Sequence, residues 1–179
     1  REKQALYGGL DAFAHRSSQL LIIEGDAGSG KSQFIKKACR RSHNRNVLLV
    51  TNDARKTSGP FGLFRSWIED IRQSDLPASV AQELSAFVNT RRLLSLLCGQ
   101  TNDLPTQASW RLPSAMRGTE RKDQLTAELV RFFRIFSRHR PLVLAVSNFD
   151  RLDDETRALV KRVFCSLANS PVGFIITTN

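Results

Sequence analysis

Gly25-Asp26-Ala27-Gly28-Ser29-Gly30-Lys31-Ser32 is the stretch on which the reading of this chain turns. Its fixed positions follow G-x-x-x-x-G-K-[ST], the spacing of a loop that wraps phosphate groups. The flanks agree with the motif. Leu20-Leu21-Ile22-Ile23 before it is a short apolar run, as expected of a buried parallel strand. After it, Phe34, Ile35, Ala38 and Cys39 recur at helical spacing. A strand, a glycine-rich loop and a helix in this order form the setting such a loop requires.

The residue types match the chemistry. Glycines let the backbone come close to a ligand, so the N–H groups from Gly25 to Ser32 can converge on phosphate oxygens. The positive end of the following helix adds to the attraction. Lys31 supplies a point charge for the β- and γ-phosphates, and the Ser32 hydroxyl is the expected ligand to Mg²⁺. The expected cofactor is therefore a nucleotide with Mg²⁺, read as ATP or ADP although the loop itself does not separate ATP from GTP, and Gly25, Asp26, Ala27, Gly28, Ser29, Gly30, Lys31 and Ser32 are its expected contacts.

With 179 residues, 41% of them hydrophobic, the chain can build a core of its own. No run approaches the roughly 18 apolar residues of a membrane span, and no signal peptide is visible. Cys39, Cys98 and Cys165 are odd in number and widely spaced, which suggests reduced core thiols of a cytoplasmic protein. His15, His43 and His139 are too scattered for a zinc site. The net charge of +10 admits an anionic partner such as nucleic acid. Solvated helix faces account for its placement better: Lys36, Lys37 and Arg40 in one helix, Arg131, Arg134 and Arg138 in another, lie away from the apolar side.

Further along, periodicity predicts a helix in Arg1–Ala14 and a polar connection over Ser42–Asn46. Val47–Val50 reads as a second strand, and Asn52–Gly62 as a loop broken by Gly59-Pro60. A helix through Phe64, Trp67, Ile68 and Ile71 follows. One or two more run through Leu84, Phe87, Val88, Leu93, Leu94 and Leu97. Gly99–Gly118 reads as a long loop. A helix capped by Thr119 runs to about Arg138, with Leu125, Leu129, Phe132, Phe133 and Phe136 on its apolar side. Leu142–Val146 is a third strand. Asp153 or Asp154 caps a helix through Leu159, Val160, Val163, Phe164 and Leu167, and Val172–Thr177 is a fourth strand. Strands alternating with helices predict a parallel sheet with helices on both faces and a ligand at the carboxyl ends of the strands.

In this order the motifs resemble the AAA-like ATPase domain of the signal-transducing (STAND) class of P-loop NTPases. The resemblance is to the type found in large transcription regulators and beside class III adenylate cyclases. Arg1-Glu2 is similar to that type's opening box, and Gly25–Ser32 to its Walker A motif. Gly59-Pro60-Phe61 is similar to its Pro-aromatic segment, and Arg140-Pro141 followed by Leu142–Leu144 to the lead into its Walker B strand. Asp153 matches the acid that opens the next helix, and Ile176–Asn179 the strand that carries a polar γ-phosphate sensor. The resemblance implies a three-layer α/β/α domain over 1–179, one part of a larger multidomain protein, with the last strand and a helical lid outside this stretch. It also implies that Arg1, Glu2 and Asn179 join the nucleotide contacts.

The departure is at Walker B. Where such proteins carry two acids, this chain has Ser147 and Asn148. Ser147 can offer Mg²⁺ only a neutral oxygen, beside Ser32. Asn148, with Asp150 further along, is left as the candidate for the catalytic position. Asp150 and Leu152 also match the later part of the motif in AAA+ replication initiators. Three functions follow: a nucleotide-gated signalling switch with slow or absent hydrolysis, with lid, sensor or output domains of the same protein as partners; a DNA-associated AAA+ ATPase; and a structural pseudo-ATPase. The first fits the motif order best.

Overall fold

Four apolar runs become four parallel strands in the computed structural model, which describes residues 18–26, 28–42, 47–57, 59–86 and 118–178. They are β1 (Leu20–Glu24), β2 (Leu48–Asp53), β3 (Leu142–Ser147) and β4 (Val172–Thr178), in the spatial order β1-β4-β3-β2. The helices are α1 (Lys31–Ser42), α2 (Gly62–Gln73), α3 (Ala78–Ala86), α4 (Gly118–His139) and α5 (Asp154–Ser166). Short 3₁₀ turns follow β2 (Ala54–Lys56) and β3 (Phe149–Arg151).

Position in the sheet explains the strand sequences. The central strands β3 and β4 are buried on both faces and are apolar almost throughout. The outer strand β1 alternates between exposed and half-buried positions. Residues alternate across a strand, which sorts the core into two layers. On one face Phe34 and Ile35 of α1 pack with Val143, Ala145 and Ile175. On the other, α2, α4 and α5 cover Leu142, Leu144, Val146, Phe174 and Ile176 with Phe64, Trp67, Phe132, Phe133 and Val163. Sheet and two helical layers make the three-layer α/β/α arrangement.

Several expectations are corrected. β2 runs on to Asp53 where a loop was expected from Asn52, because Thr51, Asn52 and Asp53 stay in register with Ala145, Val146 and Ser147. Strand pairing uses backbone groups, so polar side chains do not end it. α4 begins at Gly118, which puts Thr119 inside the first turn and not at its cap. Of the two candidate caps of α5, Asp153 takes the role. Cys165 is exposed on α5, not a core thiol. The expected helix in Arg1–Ala14, residues 43–46, the helices beyond Ala86, the loop at 99–117, Cys98, His15, His43 and the Cys39 side chain lie outside the described residues.

Candidate functional site

All four strands run the same way, so their carboxyl ends share one rim. Gly25–Gly30 leaves that rim from β1 and α1 starts at Lys31. Gly28 and Gly30 have φ of 86° and 88°, the left-handed side, which a side chain would strain. A Cβ at either would meet nothing within 4 Å, so backbone conformation and not space requires glycine there. Ser29 N donates to Asp26 O (3.1 Å) and Phe34 N to Gly30 O (2.9 Å), which ties the loop to its helix.

The Lys31 ammonium folds back over the loop. It donates to the carbonyls of Gly25 and Asp26, the latter at 2.8 Å. Gly28, Ser29, Gly30 and Ser32 are exposed, and the first turn of α1 carries no acid. A helix N-terminus with no acid in its first turn, a lysine ammonium and exposed backbone donors suit a phosphate chain. Arg1, Glu2, Ala27 and Asn179 lie outside the described residues.

At the far side of the rim the chain turns sharply after Ser147. Asn148 has φ 59° and ψ 46°. That is the left-handed region, which asparagine tolerates better than most residues. It is tied to both neighbouring strands: its N–H donates to Thr177 Oγ1 of β4 (3.2 Å), and its Nδ2 to Asp53 Oδ1 of β2 (2.8 Å). Thr177 and Ser147 are both buried. Asp53 also accepts from Arg55 N (3.0 Å), Nε (3.1 Å) and Nη2 (2.7 Å). The Arg55 guanidinium, aided by its backbone N–H and by Asn148, holds the Asp53 carboxyl at about 2, against desolvation.

The acids downstream are placed differently. Asp150 sits in the turn after β3, partly exposed, 3.5 Å from Arg151 Nε. Asp153 accepts from Thr156 N (2.8 Å) and Thr156 Oγ1 (2.6 Å), and the same hydroxyl accepts from Phe61 N (3.1 Å). Asp153 is therefore committed to fixing the start of α5 against the Pro60-Phe61 turn. A groove of about 470 Å³ between this turn and α5, lined by Ala54, Pro60, Leu152 and Asp154, borders the end of β2 and not the phosphate loop. Among the described residues no three His, Cys, Asp or Glu come together as a metal cluster. The oxygens that Ser32 and Ser147 could offer Mg²⁺ are neutral, so the cation would depend on phosphate oxygens and water.

A strand, a phosphate-type loop, a helix and this sheet order form one unit, and the sequence model of the AAA ATPase domain family matches residues 1–176. The chain belongs to the AAA ATPase domain family. No curated protein matches it. As an AAA ATPase domain it is a nucleotide-binding P-loop NTPase of α/β/α architecture. Among the described residues no helix is long and apolar enough to cross a membrane.

Sequence reasoning did not single out Asp53, which the structure places against Asn148. The missed signal was strand length. Leu48 pairs with Leu142, so counting equal steps along β2 and β3 brings Asp53 level with Ser147.

Proposed function

We propose that this AAA ATPase domain holds ATP or ADP at Gly25–Ser32 and acts as a nucleotide-dependent signalling switch of the STAND kind, with slow or absent hydrolysis. Lys31 and the loop N–H groups bind the phosphates, and Ser32, with weaker help from Ser147, holds Mg²⁺. Bound Mg·ATP supplies the γ-phosphoryl group and its activation. The protein's part in turnover would be to place water and take its proton, and Asn148 and Asp150 are the candidates. Lid, sensor or output domains of the same protein are the expected readers of the nucleotide state.

The observation that carries this reading is the neutral corner at the end of β3. Ser147 and Asn148 occupy it, and the acids around it already have partners, Asp53 with Arg55 and Asn148, Asp150 with Arg151, and Asp153 with Thr156. An amide can orient water but cannot accept its proton at neutral pH. Loss of a general base costs on the order of 10² to 10⁴ in rate.

Calorimetry and phosphate release test it together. Mg·ATP should bind, and Lys31→Ala should weaken binding by about 2 kcal/mol or more, the scale of a desolvated charge-assisted contact. Phosphate release should run at least about 10²-fold below the roughly 10 s⁻¹ of a median enzyme. Unchanged affinity in Lys31→Ala would remove the phosphate-loop assignment. Ordinary turnover abolished by Asp150→Asn would make Asp150 the working carboxylate.

A further inference from the structure

We propose that the Pro60–Phe61 peptide is a two-state switch in the wall of the groove beside α5: the Thr156 hydroxyl holds its N–H toward α5 against backbone strain, and the second state is the flipped peptide.

Gly59-Pro60-Phe61-Gly62 is a four-residue turn, closed by Gly62 N donating to Gly59 O at 3.2 Å. Proline in second place and a positive φ in third, here φ 61° and ψ 11° at Phe61, mark a type II turn. The third place ordinarily takes glycine or asparagine, because a Cβ is crowded at positive φ. Among the described residues Phe61 and Asn148 are the non-glycines with positive φ. Asparagine tolerates that region; phenylalanine is strained in it.

A relaxed alternative is close at hand. A type I turn uses the same proline and differs mainly in ψ of the second residue and φ of the third. Turning the one peptide plane between them converts one type into the other. The flip leaves ψ of Phe61 near 0°, so its carbonyl still accepts from Phe64 N (3.0 Å) and Arg65 N (3.3 Å), and α2 keeps its start. The Phe61 ring likewise keeps its packing on the larger core. The observed state must therefore be held by something that the flip would lose.

That contact is made by the Phe61 N–H, which donates to Thr156 Oγ1 at 3.1 Å. A hydroxyl has one hydrogen, and Thr156 gives its own to Asp153 Oδ2 at 2.6 Å. Only lone pairs are left to face the turn, so Asp153 makes Thr156 an acceptor and selects the N–H. Thr156 is buried, where an unmatched polar group is costly. The flip sets the Pro60 carbonyl against those lone pairs unless Thr156 releases Asp153 and turns its hydrogen to the turn. Asp153 caps α5 just after the 3₁₀ turn that leaves Asn148, so a movement at the end of β3 reaches the peptide through Asp153 and Thr156. Gly59 and Pro60 line one side of the groove, Asp153 and Asp154 the other, and the flip exchanges a donor for an acceptor between them.

Two readouts in the full chain report the state of the peptide. One is the nuclear Overhauser effect between Pro60 Hα and the Phe61 amide proton, which lie close together in type II and apart in type I. The other is hydrogen exchange at the Phe61 amide. The unmodified protein should give a strong effect and a protected amide. Thr156→Val keeps the side-chain volume and removes the acceptor. The effect should weaken and exchange should quicken by about tenfold, one lost hydrogen bond, while amides of β3 and β4 stay protected. Thr156→Ser should keep both signals. Phe61→Ala removes the ring, and Phe61→Gly removes the ring and the strain. The ratio of type II to type I should be about 5- to 30-fold higher in Phe61→Gly, the scale of one left-handed residue. Unchanged signals in Thr156→Val, or equal ratios in Phe61→Gly and Phe61→Ala, overturn the inference. If Thr156→Val does not fold, the glycine and alanine variants decide alone. Neither readout requires bound nucleotide, so the switch can fail while the phosphate-loop reading stands.

Discussion

Asp53 shows how one residue's surroundings set its charge. Its carboxyl lies at about 2, against the ordinary 3.8, first because Arg55 hydrogen-bonds the ionised form. A folded-state value below the unfolded one adds stability above the unfolded value, and that stability is lost as the proton returns. The Asp53 contribution should therefore be complete above about pH 4 and fade as pH falls toward about 2. Acid unfolding should be steeper across this window for the unmodified protein than for Asp53→Asn, followed by circular dichroism; parallel curves would mean that the carboxylate is not engaged in solution. The same contact bears on restoring catalysis. Returning acids to the end of β3 by Ser147→Asp and Asn148→Glu would set a new carboxylate against Asp53, so the gain requires Asp53→Asn as well.

At the scale of elements, β4 depends on one aromatic junction. Phe174 is fully buried, edge-on to Trp67 at 6.2 Å and to Phe164 at 5.4 Å, and so joins the sheet to α2 and α5. Trp67 is also edge-on to Phe64 at 5.5 Å. Such pairs contribute beyond the area they bury. Phe174→Ala should cost about 3–5 kcal/mol, because the surrounding helices cannot close on the space left behind. The urea midpoint should fall with an unchanged slope. A loss below about 1 kcal/mol would mean that this junction repacks freely.

For the whole molecule, the question is what the charge of +10 does. Arg131, Arg134 and Arg138 are exposed along α4, as their spacing predicts. Several neighbouring basic groups are already partnered: Arg134 with the Ser166 carbonyl, Arg162 with Asp123, Lys122 with Glu155 and Arg157 with Asp154. Dispersed, partly paired charge gives salt-sensitive, non-selective attraction to a polyanion and not a reading head. Labelled duplex DNA titrated at low and at physiological salt should bind weakly at the latter, in the range of about 10⁻⁴ to 10⁻⁶ M for non-specific contacts. Sub-micromolar, sequence-selective binding at the higher salt would favour the replication-initiator reading over the switch.

The sequence by itself determined the architecture and the phosphate loop. Both are encoded locally: apolar runs such as Leu142–Val146 need burial on two sides, helical stripes such as Leu125, Leu129 and Phe132 need a face to cover, and Gly25–Ser32 has a spacing that few other structures require. It also located the neutral pair Ser147 and Asn148. What those two residues touch was decided only by the tertiary structure. Strand order and register bring Asp53, almost a hundred positions away, into contact with Asn148, and bring Thr177 to its backbone from the other side. Asp150 and Asp153 look alike in the sequence, but the fold leaves one partly exposed beside Arg151 and gives the other to Thr156. Periodicity records which side of an element is buried. Which polar groups meet at the ends of neighbouring strands depends on pairings between distant segments, and no local pattern carries them.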